Sequence, residues 1–161
     1  MKIESLIIAA CTMTIVMSAP LTLLAKQTFR DAGGNVRWTM QGEGVRATYR
    51  NAEGKVCGIA QKESNGKVTY RNAEGKVCGT AQKDQSGKIT YRNAEGKTVG
   101  TAQKDQSGKV TYRNKDGKVN GTAQMNGITT TYRNAQGKVV YTVQGEKTIS
   151  DIGFAAFKLF E

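Results

Sequence analysis

Short runs in which apolar and polar residues alternate fill most of the chain after residue 25, a pattern that predicts half-buried β-strands. Residues 67–71 and 76–83 are two such runs, and near copies of both recur along the chain. One predicted face carries apolar or small residues: Val68, Tyr70, Val77, Gly79 and Ala81. The other face is mainly polar: Thr69, Arg71, Cys78, Thr80 and Gln82. The sequence therefore predicts a sheet with one thin apolar face and one polar, basic face.

A unit of 20 or 21 residues repeats through this region, marked by five tyrosines and a divergent phenylalanine: Tyr49, Tyr70, Tyr91, Tyr112, Tyr132 and Phe29. Each regular unit contains two copies of the pattern [Asn/Asp]-x-x-Gly-Lys, as at residues 72–76 and 84–88. Asn or Asp favours a type I turn, and the glycine three residues later suits the left-handed conformation of a G1 bulge. Two hairpin turns per unit predict roughly 11 or 12 short strands.

Two all-β arrangements fit the repeat. The favoured one is an extended or curled antiparallel meander of tandem hairpins, and the alternative is a β-solenoid or curli-like stack with two strands per rung. Stacking would align glutamines in a ladder: Gln61, Gln82, Gln103, Gln124 and Gln144. It would also place equivalent arginines about 4.8 Å apart, at a cost of about 0.9 kcal/mol per adjacent pair even in water. This repulsion favours the meander.

Cys57 and Cys78 occupy equivalent places in consecutive units and form a candidate disulfide in an oxidising compartment. A disulfide requires Cα atoms within about 7 Å of each other. Stacked rungs allow that approach, whereas next-but-one strands of a flat meander do not. The cysteines thus favour the solenoid, and both arrangements remain open.

The long apolar run at residues 1–25 is typical of a secretory signal peptide with cleavage after Ala25. It predicts a secreted or periplasmic bacterial protein. Two alternatives remain: residues 5–25 can serve as an uncleaved membrane anchor, and Ile8-Ala9-Ala10-Cys11 resembles a bacterial lipobox.

Two further regions follow the predicted signal peptide. Residues 26–146 form the predicted repeat domain, with about six units and divergent terminal ones. Residues 147–161 form a C-terminal amphipathic segment, in which apolar residues fall on one helical stripe. We expect a short helix there that either covers the end of the sheet or contacts a membrane or a partner.

The chain carries 24 Lys and Arg against 13 Asp and Glu, a net charge of +11. Such an excess favours anionic partners, namely anionic polysaccharide, lipopolysaccharide or nucleic acid, although it also serves solubility alone. One arginine follows the aromatic residue of each unit, and guanidinium groups suit phosphate and carboxylate. These candidate polyanion-binding residues are Arg30, Arg50, Arg71, Arg92, Arg113 and Arg133. The alternative is that each arginine pairs with nearby turn acids or only solvates its strand.

The sequence contains no histidine, and therefore no ordinary catalytic triad, imidazole base or His-containing metal site. Glu53, Glu74 and Glu95 are expected in solvated turns. We therefore predict that the protein is not an enzyme and has no cofactor, metal site or small-molecule substrate.

The string Gly-Lys-Val-Thr-Tyr-Arg-Asn-Ala-Glu-Gly-Lys-Val resembles three families of β-hairpin repeat over about residues 27–145. It resembles the tyrosine-aspartate repeats of Rhs-type and insecticidal toxin shells, although the tyrosine here lies two places before the turn residue. It is also similar to choline- and glucan-binding wall repeats, whose ligand boxes need several aromatic residues, whereas Trp38 is the only tryptophan here. MORN-type repeats are a looser match. These resemblances imply tandem hairpins and assign no ligand.

The predicted function is that of a non-catalytic, secreted or periplasmic repeat protein, which binds anionic envelope or extracellular polymers through its basic face. One alternative is a self-associating structural or curli-like fibre protein. The other is a repeat fragment of a toxin-like shell.

Overall fold

The computed structural model describes residues 25–145, and the regular structure of this part of the chain is entirely antiparallel β. Its twelve strands are β1 Ala25–Asp31, β2 Val36–Glu43, β3 Arg46–Asn51, β4 Val56–Lys62, β5 Val68–Asn72, β6 Val77–Lys83, β7 Ile89–Asn93, β8 Thr98–Lys104, β9 Val110–Asn114, β10 Val119–Asn126, β11 Thr129–Asn134 and β12 Val139–Gly145. The predicted succession of short hairpin strands is confirmed. The predicted leader and the C-terminal amphipathic segment lie outside the described residues.

The predicted antiparallel meander is confirmed, but its first and last strands pair and close it into a barrel, so it is neither the extended or curled open meander that was expected nor the alternative solenoid. Each strand pairs with its sequence neighbours, and β1 also pairs with β12, with Phe29 opposite Val143 and Thr28 opposite Gln144. An open sheet of this size would leave two edges of unpaired N–H and C=O groups. Right-handed twist carries the first and last strands of a long meander towards each other, and closure satisfies both edges at once.

The predicted hairpin turn is present at nine of the eleven connections between the described strands, and two-residue turns join β2 to β3 and β10 to β11. In the turn after β5, the amide of Asn72 donates to the carbonyl of Lys76 at 2.9 Å, and the amide of Gly75 donates to the carbonyl of Asn72 at 3.1 Å. Gly75 has a φ of 82°, and the equivalent glycines have φ values from 78° to 85°. This left-handed conformation is the one that the G1 bulge requires, and glycine adopts it without a steric penalty.

The buried face of the sheet lines the inside of the barrel and combines aromatic rings with very small residues. Its aromatic members include Phe29, Tyr49, Tyr70, Tyr91, Tyr112 and Tyr132. Tyr70 lies opposite Ala60 on β4 and Gly79 on β6, and the next two tyrosines are flanked in the same way. Alternating large and small residues across the strands lets each ring lie over its neighbours. This register brings together the tyrosine, glycine and alanine residues that the sequence placed on one face.

Burial in the barrel interior favours the neutral form of its tyrosines. Burial raises the pKa of Tyr70, Tyr91 and Tyr112 well above the usual value for tyrosine, and neighbouring tyrosines add to the effect. Tyr112 and Tyr132 lie with their ring centroids 6.2 Å apart. These rings pack as a core, which explains the tyrosine of the repeat by folding alone.

The register between the two strands of each tyrosine-containing hairpin shifts by one residue near its turn. Tyr70 lies opposite Gly79, but Arg71 lies opposite Val77, so Cys78 is left without a partner in the ladder. This is a β-bulge, which breaks the simple alternation of faces. Val77 is therefore only half-buried, and the expectation that it shares the buried face of Gly79 is wrong.

Candidate polyanion-binding rim

Consecutive antiparallel strands run in opposite directions, so the six turns that follow odd-numbered strands lie at one end of the barrel. These turns are residues 31–35, 51–55, 72–76, 93–97, 114–118 and 134–138. The last or second-last residue of each preceding strand is the arginine singled out in the sequence. We call this set the arginine rim: Arg30, Arg50, Arg71, Arg92, Arg113 and Arg133.

Every arginine of the rim makes the same hydrogen bond. The Nη1 group of Arg71 donates to the carbonyl oxygen of Gly75 at 3.0 Å, and the other five arginines donate to the equivalent glycine at 3.0 to 3.1 Å. The turn itself is closed by its asparagine, since Asn72 Oδ1 accepts from the amide of Lys76 at 2.9 Å. The arginine thus ties its guanidinium to a turn whose backbone is already fixed.

This contact uses only part of each guanidinium, which has five N–H donors. Arg92 makes one further bond, from Nη1 to Thr98 Oγ1 at 3.2 Å. Arg30 is half-buried and the other five arginines are exposed. A guanidinium that is held by one donor and presents the others to solvent is oriented before any anion arrives, which lowers the entropy lost on binding.

Closure of the barrel turns the predicted row of arginines into a ring. Neighbouring members are separated by one intervening strand, about 9.6 Å measured across the strands. The same spacing joins Arg133 on β11 to Arg30 on β1, because β12 lies between those two strands. The sequence predicted the six arginines and their common face. An open meander, however, would have left Arg30 and Arg133 near opposite edges of the sheet.

The end of the barrel that carries the rim is strongly basic. Its basic side chains are Arg30, Arg37, Arg50, Lys55, Arg71, Lys76, Arg92, Lys97, Arg113, Lys115, Lys118, Arg133 and Lys138. Its acidic side chains are Asp31, Glu53, Glu74, Glu95 and Asp116. Asp31 caps the first turn, and its hydrogen bonds, above all from the Asn35 amide, hold the pKa of this carboxyl below its usual value. The excess of positive charge makes this end attractive to a polyanion.

The alternative expectation was that the arginines pair with turn acids. Within residues 25–145 the ion pair present is between Lys67 and Glu63 at 3.2 Å, and it lies at the opposite end of the barrel. The partner of each rim arginine is instead a backbone carbonyl, which leaves its positive charge uncompensated. Sequence periodicity could not show this contact, because it depends on the path of the turn.

Cys57 and Cys78 are not joined in a disulfide, and the first is half-buried whereas the second is exposed. They lie on β4 and β6, and β5 runs between these strands. Alternate strands are about 9.6 Å apart, farther than the roughly 7 Å that a disulfide tolerates. We therefore expect no disulfide between these two cysteines in a single barrel.

The described residues offer neither a candidate metal site nor a candidate membrane-spanning helix. They contain no group of three His, Cys, Asp or Glu side chains placed to hold a metal ion. In the same part of the chain, no helix has the length and apolar character needed to cross a membrane.

Comparisons with known proteins bear on the fold and leave the function open. No protein-family model matches the chain, and no curated protein sequence is significantly similar to it. A protein of Arabidopsis thaliana known from an X-ray structure is similar in fold, with a TM-score of 0.52 and 9% sequence identity over 84% of this chain and 87% of that one. BamB from Moraxella catarrhalis gives a TM-score of 0.33 at 11% identity, over 67% of this chain and 56% of that one. At these identities the Arabidopsis likeness concerns the fold alone.

Proposed function

We propose that the protein is a non-catalytic, secreted or periplasmic module that binds anionic envelope or extracellular polymers through the arginine rim. The observation that carries the proposal is the repeated geometry of the rim, in which six guanidinium groups are each fixed to a turn carbonyl and still present donors to solvent. Guanidinium forks suit phosphate, sulfate and carboxylate groups. A ring of them suits a ligand that repeats such groups.

Binding of this kind is weak at each arginine and strong in total. A polymer that engages one guanidinium raises the effective concentration of its next anionic group at the neighbouring arginine. Counterions are released at each contact, so the affinity falls steeply as salt rises. Anionic polysaccharide and lipopolysaccharide are the favoured ligands for a protein of the cell envelope, and nucleic acid shares the same charge chemistry.

The predicted cleavage site is compatible with the described strands. Cleavage after Ala25 would remove the first residue of β1, with its pair to Gly42, and leave the pairs from Lys26 onwards in place.

Self-association into fibres receives less support. The pairing of β1 with β12 leaves no free strand edge within residues 25–145. Addition of strands at an open edge is the ordinary route to such assemblies.

The test compares two variants that lose the same charge at opposite ends. In the rim variant, all six rim arginines are changed to Gln. In the control variant, six basic residues of the other end are changed to Gln: Arg46, Lys67, Lys83, Lys88, Lys104 and Lys109. We expect the rim variant to bind heparin and lipopolysaccharide about tenfold or more weaker near physiological salt, with a shallower salt dependence, and the control to lose much less. Equal losses would mean that net charge alone binds the polymer, and would overturn the assignment to the rim.

A further inference from the structure

The end of the barrel opposite the arginine rim has a different construction. It carries the five turns that follow even-numbered strands and the points where the chain enters β1 and leaves β12. We call it the tip end. Three of its turns, at residues 63–67, 84–88 and 105–109, are polar copies of the hairpin turn described above.

The first and last turns of the tip end depart from that pattern. Between β2 and β3, and between β10 and β11, the polar turn is replaced by Gly44-Val45 and Gly127-Ile128. Val45 and Ile128 are each 62% exposed, and Met125, which precedes the second turn, is 38% exposed. Within residues 25–145, Val45 and Ile128 are the most exposed large apolar side chains, ahead of Val119 and Met125.

These tips are firmly held. Gly44 and Gly127 have φ values of 56° and 57°, which suit the first central position of a type II′ turn. The Val45 carbonyl accepts a hydrogen bond from the Lys62 amide at 2.8 Å, and the Ile128 carbonyl accepts one from the Gly145 amide at 3.1 Å. Each aliphatic side chain therefore projects from a turn that is fixed to the adjacent strand.

The two apolar turns lie on either side of the point where the chain enters the barrel. The order of strands around the barrel places β1 and β12 between them, so the tips are four strand positions apart, about 19 Å across the strands. The apolar run that precedes residue 25 joins the barrel here. The segment that is predicted to direct the chain to a membrane therefore connects to the end that carries the exposed aliphatic tips.

Positive charge lies beside the first apolar tip and beside the entry of the chain. Arg46 follows Val45 directly, and Lys26 lies next to the entry point on β1. Both are exposed. Aliphatic tips beside cations match the interface of an anionic bilayer, which takes the apolar groups at the acyl boundary and the charges at the headgroups.

We propose that the tip end docks on the surface of an anionic lipid bilayer, with Val45 and Ile128 inserted at the boundary between headgroups and acyl chains. This docking does not depend on polymer binding by the arginine rim. It orients the barrel, because the rim then faces away from the membrane towards the polymers of the surrounding space. Two tips and a few cations give reversible, salt-sensitive attachment.

The test measures the depth of one introduced tryptophan at a time in the full chain, which also contains Trp38, since bilayer binding alone could come from the apolar leader. Variants Val45→Trp and Ile128→Trp are compared with Gln106→Trp, which lies in a polar turn of the same end. The vesicles contain brominated phosphatidylcholine and about one-third phosphatidylglycerol. We expect the brominated lipid to quench the tryptophan fluorescence of both tip variants more strongly than that of the unaltered chain. In the control variant, the introduced tryptophan should be quenched little. Equal quenching at all three positions, or none, would overturn the proposal.

A second pair of variants separates the tips from other partners. In the chain that remains after cleavage at Ala25, which lacks the apolar leader, Val45→Ser with Ile128→Ser is expected to release the barrel from vesicles while leaving heparin retention unchanged, and the rim variant is expected to do the reverse. Both positions are exposed, so the serine variants should fold. Tryptophan shifts that depend on protein concentration without lipid would assign the tips to a second copy of the chain and contradict the bilayer as their partner.

Discussion

The guanidinium of each rim arginine links the local stability of the barrel to its proposed function. Its bond to the turn glycine is strictly local, four residues along the chain, and it needs no contact with distant strands. The repeat could therefore keep this arginine for folding alone. Folding does not explain why six guanidinium groups at one end of the molecule present their remaining N–H donors to solvent.

The bond itself can be tested at one turn. Arg71→Ala removes the bond from Arg71 Nη1 to the Gly75 carbonyl, and we expect a loss of about 0.5–1.5 kcal/mol in the free energy of unfolding. The matched control is Lys115→Ala, an exposed residue of an equivalent turn, which should stay within about 0.5 kcal/mol of the parent. Urea unfolding measures both. Equal effects would show that the turn does not depend on the arginine.

The hairpin turn is the element in which sequence and structure agree most closely. Asn or Asp at the first position, Gly three residues later and the strands on either side all lie where the pattern predicts. The prediction succeeded because the turn is decided by dihedral preference and by bonds within five residues. The bulge was missed, since it depends on the register between two strands.

The acidic turns of the tip end make stability sensitive to low pH. The side chains of Ser86 and Ser107 donate to Asp84 and Asp105, and the Thr69 hydroxyl donates to Glu63, so the pKa of each carboxyl is lowered. A lowered pKa in the folded state means that this stabilisation is fully present above the usual carboxyl pKa of about 4 and is lost as pH falls through the folded-state value.

We expect the Asp84→Asn and Asp105→Asn double variant to lose less unfolding free energy than the parent between neutral pH and about pH 3, since it lacks two of the titrating groups. Urea unfolding at each pH measures the difference. Glu74→Gln, at an exposed acid of a rim turn, is the control and should keep the acid sensitivity of the parent. Identical pH dependence in all three proteins would contradict the role of these carboxylates.

At the scale of the whole molecule, the seam between β1 and β12 is the contact that turns a meander into a barrel. Residues directly opposite in an antiparallel pair have Cα atoms about 4.5–5.5 Å apart, which a disulfide accepts. We therefore expect Thr28→Cys and Gln144→Cys to form a bond on mild oxidation, because these positions face each other across the seam. The control pairs Thr28→Cys with Thr90→Cys on β7, on the far side of the barrel.

Both variants need a background in which the natural cysteines are changed to Ser: Cys11, Cys57 and Cys78. A mobility shift on a non-reducing gel, confirmed by mass spectrometry of the linked peptides, reports the bond. An open sheet would place its first and last strands far apart, so failure of the seam pair to cross-link would contradict the closed barrel.

The sequence by itself determined the strands, the turns, the buried tyrosine face and the periodic arginines, because each depends on interactions within one hairpin or between neighbouring strands. Tertiary structure decided what those local rules leave open. Closure joins residues that are more than a hundred positions apart, such as Thr28 and Gln144, and no repeat pattern encodes which edges meet. That closure makes a ring of the arginines and gathers Val45 and Ile128 beside the entry of the chain. The physical reason is that the N–H and C=O groups of unpaired strand edges find hydrogen-bond partners only when distant strands meet. Turns and strand faces form instead through contacts between residues that are close in the chain or on neighbouring strands.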